Sequence, residues 1–482
     1  MALTYAVKVL EQSHVSPPPG SVPTTSLPLT FLDIPWFLFS TMQRVFFYEL
    51  PYPTTNHFTQ TILPNLKHSL SLALQLFFPL AAKLRLPPLP HMPHILYTEG
   101  DSVLLTIAES RCDFNHLIGN HARDVRESHP LVPKLLPPAI SELDNTQVLP
   151  DLLAIQVTVF PNSGISIGIT FSHLVADGRA FHHFMKSWAC IYRKSIGDLT
   201  CLDKSVVLPF LSRDVIEIED PNGFKLSSMM KEYWSTWAEV WREGTSPIAD
   251  SVLSDKVRAT FVLSRAQIGR LKSWVSIQYM NNNEQETLYV STFVVVCAII
   301  WVCMIKTEDS EISDLLHNDM LCYFCFVADI RNRHGVAVPA TYFGNYLAVC
   351  FAQAKRKELM VENGIVTAVK AIGKKVQELE SGAFREAEKW MSGIKEVLES
   401  GPFVSVAGSP KLGVYETNFG WGRPKKSEVL HIDDSKSISL AESRDEEGGI
   451  EVGLALSRSK MENFKAILEQ DLQLFSGTGL LV

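Results

Sequence analysis

Gly164-Ile165-Ser166-Ile167-Gly168-Ile169-Thr170-Phe171-Ser172-His173-Leu174-Val175-Ala176-Asp177-Gly178 changes period in its middle and leaves a histidine at the change. Ile165, Ile167, Ile169, Phe171 and His173 alternate with small or polar residues, the pattern of a strand with one buried face. Beyond Asp177-Gly178, Phe181, Phe184, Met185, Trp188 and Ile191 recur at helical spacing, so the chain turns and continues as an amphipathic helix. His173 thus stands at a strand-to-helix corner. There one imidazole nitrogen can do chemistry near neutral pH while the other is held in place, as a general base requires. Asp177 falls at the helix start, where a carboxylate caps free N–H groups or pairs with a distant arginine. Alone, His-x-x-x-Asp is weak, because a core histidine beside a helix cap satisfies it equally well.

The same stretch holds Gly164-x-Ser166-x-Gly168, the pattern of serine hydrolases, whose serine must sit on a tight strand-to-helix turn. Here the apolar alternation runs straight through it, and Ser166 has the parity opposite to His173, so that chemistry is set aside.

The 482 residues are 46% hydrophobic and 20% charged, a globular composition too long for one ordinary core, and two domains are expected. A net charge of -8 offers no basic footprint for nucleic acid or an anionic membrane, which leaves small molecules as the expected partners. The start, Met1-Ala2-Leu3-Thr4-Tyr5-Ala6-Val7-Lys8, lacks the basic-then-apolar order of a secretory signal, so the expectation is a cytosolic monomer. The apolar run from Phe293 to Ile305 is shorter than the roughly 20 residues of a bilayer span and reads as a buried helix. Cys322 and Cys325 form a C-x-x-C inside an apolar strand, where they point to opposite faces, so no zinc or redox site and no metal is expected.

In chain order, a first strand is followed by a proline-rich connection, and a helical pattern from Asn56 stops near Phe77-Phe78-Pro79. Residues 152–160 and 164–173 read as an antiparallel pair that presents His173. Periodicity fades over 199–224, taken as the linker between a unit of 1–198 and one of 225–482. The second unit opens with a strand, residues 257–263. Ser264-Arg265-Ala266-Gln267 then fits a capping box whose helix N-terminus, with Arg265, is suited to a phosphate as well as to an ordinary surface cap.

Far downstream, Thr417-Asn418-Phe419-Gly420-Trp421-Gly422-Arg423-Pro424 wraps two glycines around a large ring, by itself a packing corner. Together with His173-Leu174-Val175-Ala176-Asp177-Gly178 it resembles the BAHD acyltransferases of plants, which carry His-x-x-x-Asp-Gly and Asp-Phe-Gly-Trp-Gly in this order. The likeness extends to residues 27–36, to 77–84 with Ala82 in place of a glycine, and to Asp329-Ile330-Arg331-Asn332-Arg333. Tyr342-Phe343-Gly344-Asn345 is similar to the Tyr-Phe-Gly-Asn-Cys of the branch that acylates anthocyanins and other phenolic glycosides, with Tyr346 replacing the cysteine.

The resemblance implies a mixed α/β fold of two chloramphenicol-acetyltransferase-like domains with a channel between them, and transfer from acyl-CoA, as co-substrate, to a glycoside hydroxyl. No permanently bound cofactor is implied. His173 would be the base, Asp177 and Gly178 structural, and Asn418, Phe419, Gly420, Trp421 and Gly422 a structural loop. Arg331 would be the ion partner at Asn418, with the pair either partly solvated or compensated by an acid such as Asp329 or Glu416. Ser409 is the candidate oxyanion donor, Ser264 and Arg265 are the candidates for CoA, and Arg179 is the candidate reader of a malonyl carboxylate. Malonyl is favoured over hydroxycinnamoyl. The alternatives are acylation of an amine or a non-glycosylated alcohol, and a relative that binds ligand without turnover.

Overall fold

The computed structural model describes residues 7–39, 41–50, 54–87, 91–136, 139–140, 146–197, 207–217, 220, 222–236, 253–281, 288–309, 319–331 and 338–477. A six-stranded mixed sheet runs in the order Val7–Val15, Val103–Ser110, Leu153–Phe160, Gly164–Phe171, Met42–Glu49, Lys426–Val429. Its centre is the expected hairpin, with Ile155 opposite Ile169 and Val157 opposite Ile167. Those residues face the helices Leu63–Leu76 and Gly178–Ser195 in one apolar core. The alternation suggested a single buried face, but the polar positions are buried too. The segment after Ser128 covers them, and Gln156 Nε2 donates to the Pro130 carbonyl at 2.8 Å. Alternation records which side chains are apolar, while burial of the polar face depends on backbone acceptors brought in from elsewhere.

The second sheet has seven strands, ordered Leu347–Lys355, Leu321–Asp329, Phe403–Ala407, Ser437–Glu442, Ile450–Ser457, Lys256–Leu263, Arg123–Asp124. Against it packs the helix Thr292–Asp309, in which every residue from 294 to 305 is buried. Burial pushes the Cys322 thiol up to about 11 and that of Cys325 up to about 12, so neither is a thiolate at neutral pH. A smaller five-stranded antiparallel sheet, built from strands between Thr25 and Leu149, flanks the first. The helix ending at Leu76 stops where Pro79 follows, in a 3-10 turn over Phe78–Leu80.

The sheets do not follow the boundary expected at 199–224. Lys426–Val429, late in the sequence, pairs with Met42–Glu49 in the first sheet, and Arg123–Asp124 pairs with Lys256–Leu263 in the second. The two exchanged strands are short, and their side chains lock them: Arg123 pairs with Glu428, and Arg258 reaches both Glu428 at 3.2 Å and Asp433, all buried. Part of the linker also docks. Phe210 bridges to Tyr342, and buried Arg213 donates to the Tyr342 hydroxyl, tying the linker to the Tyr342–Asn345 segment.

Candidate active site

The strand ends at Phe171, so His173 lies in the following turn rather than on the strand itself. Its ring stacks on Trp36, with centroids 3.7 Å apart and planes 13° from parallel. Trp36 sits on the 3-10 helix Ile34–Leu38 and is anchored through Nε1 to the Leu32 carbonyl at 2.9 Å. On the imidazole edge, Nδ1 is 3.1 Å from Asn345 Oδ1. The Asn345 amide is oriented by its other end, where Nδ2 donates to Asp33 Oδ1 and to the His173 carbonyl, both at 2.9 Å. Asp33 is in turn held by Thr30, whose N–H and hydroxyl donate to Oδ2 at 2.8 and 2.9 Å. With Oδ1 facing the ring, Nδ1 carries the proton and Nε2 is the free base. Burial lowers the His173 pKa, and Asp177, Asn345 and Asp33 restore only part of it, leaving it below 6.5. The imidazole is therefore neutral at pH 7.

Asp177 turns the other way. Its Oδ1 caps the helix by accepting from the Ala180 N–H at 2.9 Å, and its Oδ2 accepts from Arg331 Nη2 at 2.7 Å and from the Tyr346 N–H at 3.1 Å. Arg331 also donates to Asp329 Oδ1 at 3.0 Å and to the carbonyls of Tyr342 and Gly344. The Asp177 and Arg331 side chains are fully buried, so one ion pair joins the His-x-x-x-Asp corner to the Asp329–Arg331 turn. Gly344 takes φ 147, a backbone conformation that favours glycine.

This corrects the expected pairing of Arg331 with Asn418. Arg331 takes its charge from Asp177 and Asp329, while Glu416 pairs with Lys186 at 2.7 Å. Asn418 Oδ1 accepts from the N–H groups of Gly420 (2.8 Å) and Gly422 (3.1 Å), both in left-handed conformation, so it closes its own loop. Phe419 enters an aromatic cage of Tyr48, Trp188, Tyr192 and Trp421, and Tyr48 Oη donates to the Thr417 carbonyl at 2.9 Å. The loop thereby clamps the late chain onto the Gly178–Ser195 helix. Gly178 itself lies against Leu412.

Arg179 is committed as well: its Nε pairs with Asp329 Oδ2 at 2.5 Å, so the expected reader of an acyl carboxylate already holds one. Ser264 makes the expected capping box with Gln267, at 2.8 and 3.1 Å. The Arg265 N–H donates to Glu446 Oε1 at 3.0 Å, placing a carboxylate at that helix N-terminus. The Ser409 hydroxyl accepts from the Lys411 N–H at 3.2 Å, in the loop that follows the Phe403–Ala407 strand.

Asp33 and Trp36 had no role assigned from sequence, nor did Asn345. Their motifs were visible, but the contacts join residues 172 and 312 positions apart, and no local period encodes that.

A neutral imidazole whose Nδ1 is held by an amide, itself held by a carboxylate, leaves an Nε2 lone pair that can accept a proton from a hydroxyl. A transferase family model matches residues 6–471. The chain is 40% identical over 479 residues to coumaroyl-CoA:anthocyanidin 3-O-glucoside-6''-O-coumaroyltransferase 1 of Arabidopsis thaliana, covering 97% of this chain and 98% of that protein. It is 38% identical over 475 residues to malonyl-coenzyme A:anthocyanin 3-O-glucoside-6''-O-malonyltransferase of Dahlia pinnata, covering 96% and 97%. Its fold is similar to the crystal structure of vinorine synthase, with a TM-score of 0.66 at 19% identity over 98% of each chain. The chain belongs to this transferase family, the BAHD acyltransferases, and is an enzyme that uses acyl-CoA as co-substrate.

Proposed function

We propose that the enzyme moves an acyl group from a CoA thioester to a sugar hydroxyl of a flavonoid or other phenolic glycoside, with His173 as base. The observation that carries the base assignment is the His173–Asn345–Asp33 relay, which leaves Nε2 unprotonated at neutral pH. The names of the coumaroyl- and malonyltransferase relatives support the acceptor class. Nε2 takes the hydroxyl proton as the oxygen attacks the thioester carbonyl. The tetrahedral oxyanion collapses to the ester, and the imidazolium returns the proton to the departing CoA sulfur. No acyl-enzyme is required.

Ser409, whose hydroxyl hydrogen is free to point away from Lys411, is our oxyanion donor. Ser264 and Arg265 stay our candidates for the CoA phosphates; there Glu446 has to yield to the incoming anion. Arg265→Ala is expected to raise KM for acyl-CoA and leave KM for the acceptor unchanged. The reading keeps malonyl first and hydroxycinnamoyl second as donor, in a cytosolic monomer whose site comes from a single chain.

The test is a panel of CoA thioesters against phenolic glycosides, their aglycones and amines, with product mass as readout. Ester formed only on glycosides is the expected result. Product on amines or aglycones alone would replace the acceptor class, and binding without any product would leave a silent ligand-binding relative.

A further inference from the structure

Arg44 lies on the Met42–Glu49 strand, on the face it shares with Phe46 and Tyr48, which points toward the Gly178–Ser195 helix and the Phe419 loop. It is only 8% exposed. The buried arginines Arg123, Arg258 and Arg331 each meet a carboxylate and buried Arg213 meets the Tyr342 hydroxyl, whereas among the described residues Arg44 meets no carboxylate within 4.0 Å. Its Nη1 donates to Ser427 Oγ at 3.1 Å, and its guanidinium stands 6.0 Å from the Phe46 ring centroid. Nη2 reaches the corner at Gly408, beside Ser409, where an added Cβ would come within 3.5 Å of it.

Among the described residues no carboxylate oxygen bonds the Arg44 guanidinium directly. Glu442, the acid whose charge bears most on Arg44, gives Oε1 to the Tyr415 N–H at 3.0 Å rather than to the guanidinium. Among the described residues its Oε2 has no hydrogen-bond partner, and neither ring nitrogen of buried His182 has one. The cluster also borders the reaction centre. His431, which accepts the Gln43 N–H at 3.1 Å, lies within electrostatic range of both Arg44 and His173.

We propose that Arg44 is the anchor for the free carboxylate of a dicarboxylic acyl group of the malonyl class, carried on CoA. A buried guanidinium without a carboxylate is an electrostatic deficit. An incoming carboxylate removes that deficit through charge-assisted bonds with two donors at once. A hydroxycinnamoyl group brings a ring and no full charge, so it leaves Arg44 as it was. The assignment rests on the reading of this chain as an acyl-CoA enzyme, and it moves acyl recognition from Arg179, held by Asp329, to the Met42–Glu49 strand.

The experiment measures binding of malonyl-CoA and acetyl-CoA to the full chain by calorimetry, with no acceptor present. The two thioesters differ by the carboxylate alone. The wild type is expected to bind malonyl-CoA at least about tenfold tighter, the scale of one charge-assisted hydrogen bond. Arg44→Gln is expected to erase that preference while leaving acetyl-CoA binding within about twofold, and Arg44→Lys to keep part of it. No preference in the wild type overturns the proposal, as does a preference that survives in Arg44→Gln. If the glutamine variant does not fold, the lysine variant decides, and an undiminished preference there counts against a two-donor anchor. Because acceptor is absent, failure to acylate any glycoside would overturn the functional reading without touching this result.

Discussion

His173 and Asp177 stand four residues apart, and the fold surrounds them with opposite kinds of partner. His173 faces a neutral amide and an aromatic plane, keeps part of its surface open and is held neutral. Asp177 is sealed against Arg331, with no exposed side-chain surface. A base needs a nitrogen lone pair and access for its substrate, which a strong ion pair at the ring would take away by keeping it protonated. A structural joint needs the reverse, because a buried charge is stable only when fully paired. The turn between Phe171 and Gly178 separates the two requirements by sending successive side chains to different sides.

Substitutions at the two ends test that separation. The largest effect on turnover is expected from His173→Ala, a loss of about 10²- to 10⁴-fold with an unchanged unfolding midpoint. Near-normal turnover would remove His173 from the chemistry. For Asp177→Ala the balance reverses. Arg331 is left with Asp329 as its one carboxylate, and the Ala180 and Tyr346 N–H groups lose their acceptor, at a cost of about 3–5 kcal/mol in a denaturant titration, while the protein that remains folded keeps most of its turnover. A stable but inactive Asp177→Ala would erase the contrast between the two residues.

Asn345→Ala sharpens the comparison on the histidine side. The expected loss in kcat is about tenfold to a hundredfold, less than removal of the base itself. Asn345 supports the protonated ring, so its loss moves the His173 pKa further down. The active form is the neutral imidazole. In the wild type kcat/KM therefore falls as pH drops through a value below 6.5, and in the variant that acid limb shifts to lower pH. A merely structural asparagine would change the rate and leave the limb in place. The smallest effect is expected at Asn418→Asp, where a carboxylate accepts the same two N–H groups more strongly. Stability should be equal or higher by up to about 1 kcal/mol, with turnover retained. A hundredfold loss of turnover in a folded variant would give Asn418 a direct role in the site.

By itself the sequence determined the elements around the site and the motif that carries the proposed base. The alternation at Ile165, Ile167 and Ile169 and the helical spacing from Phe181 to Trp188 are local periodicities, set by which way successive side chains point. The capping box at Ser264 and Gln267 is local as well, and it forms as read. Which charges meet was decided by the tertiary structure alone. Arg331 finds Asp177 rather than the loop at Asn418, Arg179 is taken by Asp329, and Arg44 is buried beside Ser427 with no carboxylate within 4.0 Å among the described residues. The exchange of Lys426–Val429 and Arg123–Asp124 between sheets is equally nonlocal. Side-chain period is a property of neighbours along the chain, whereas the pairing of buried charges depends on how separate segments pack, and a one-dimensional pattern carries no term for that distance.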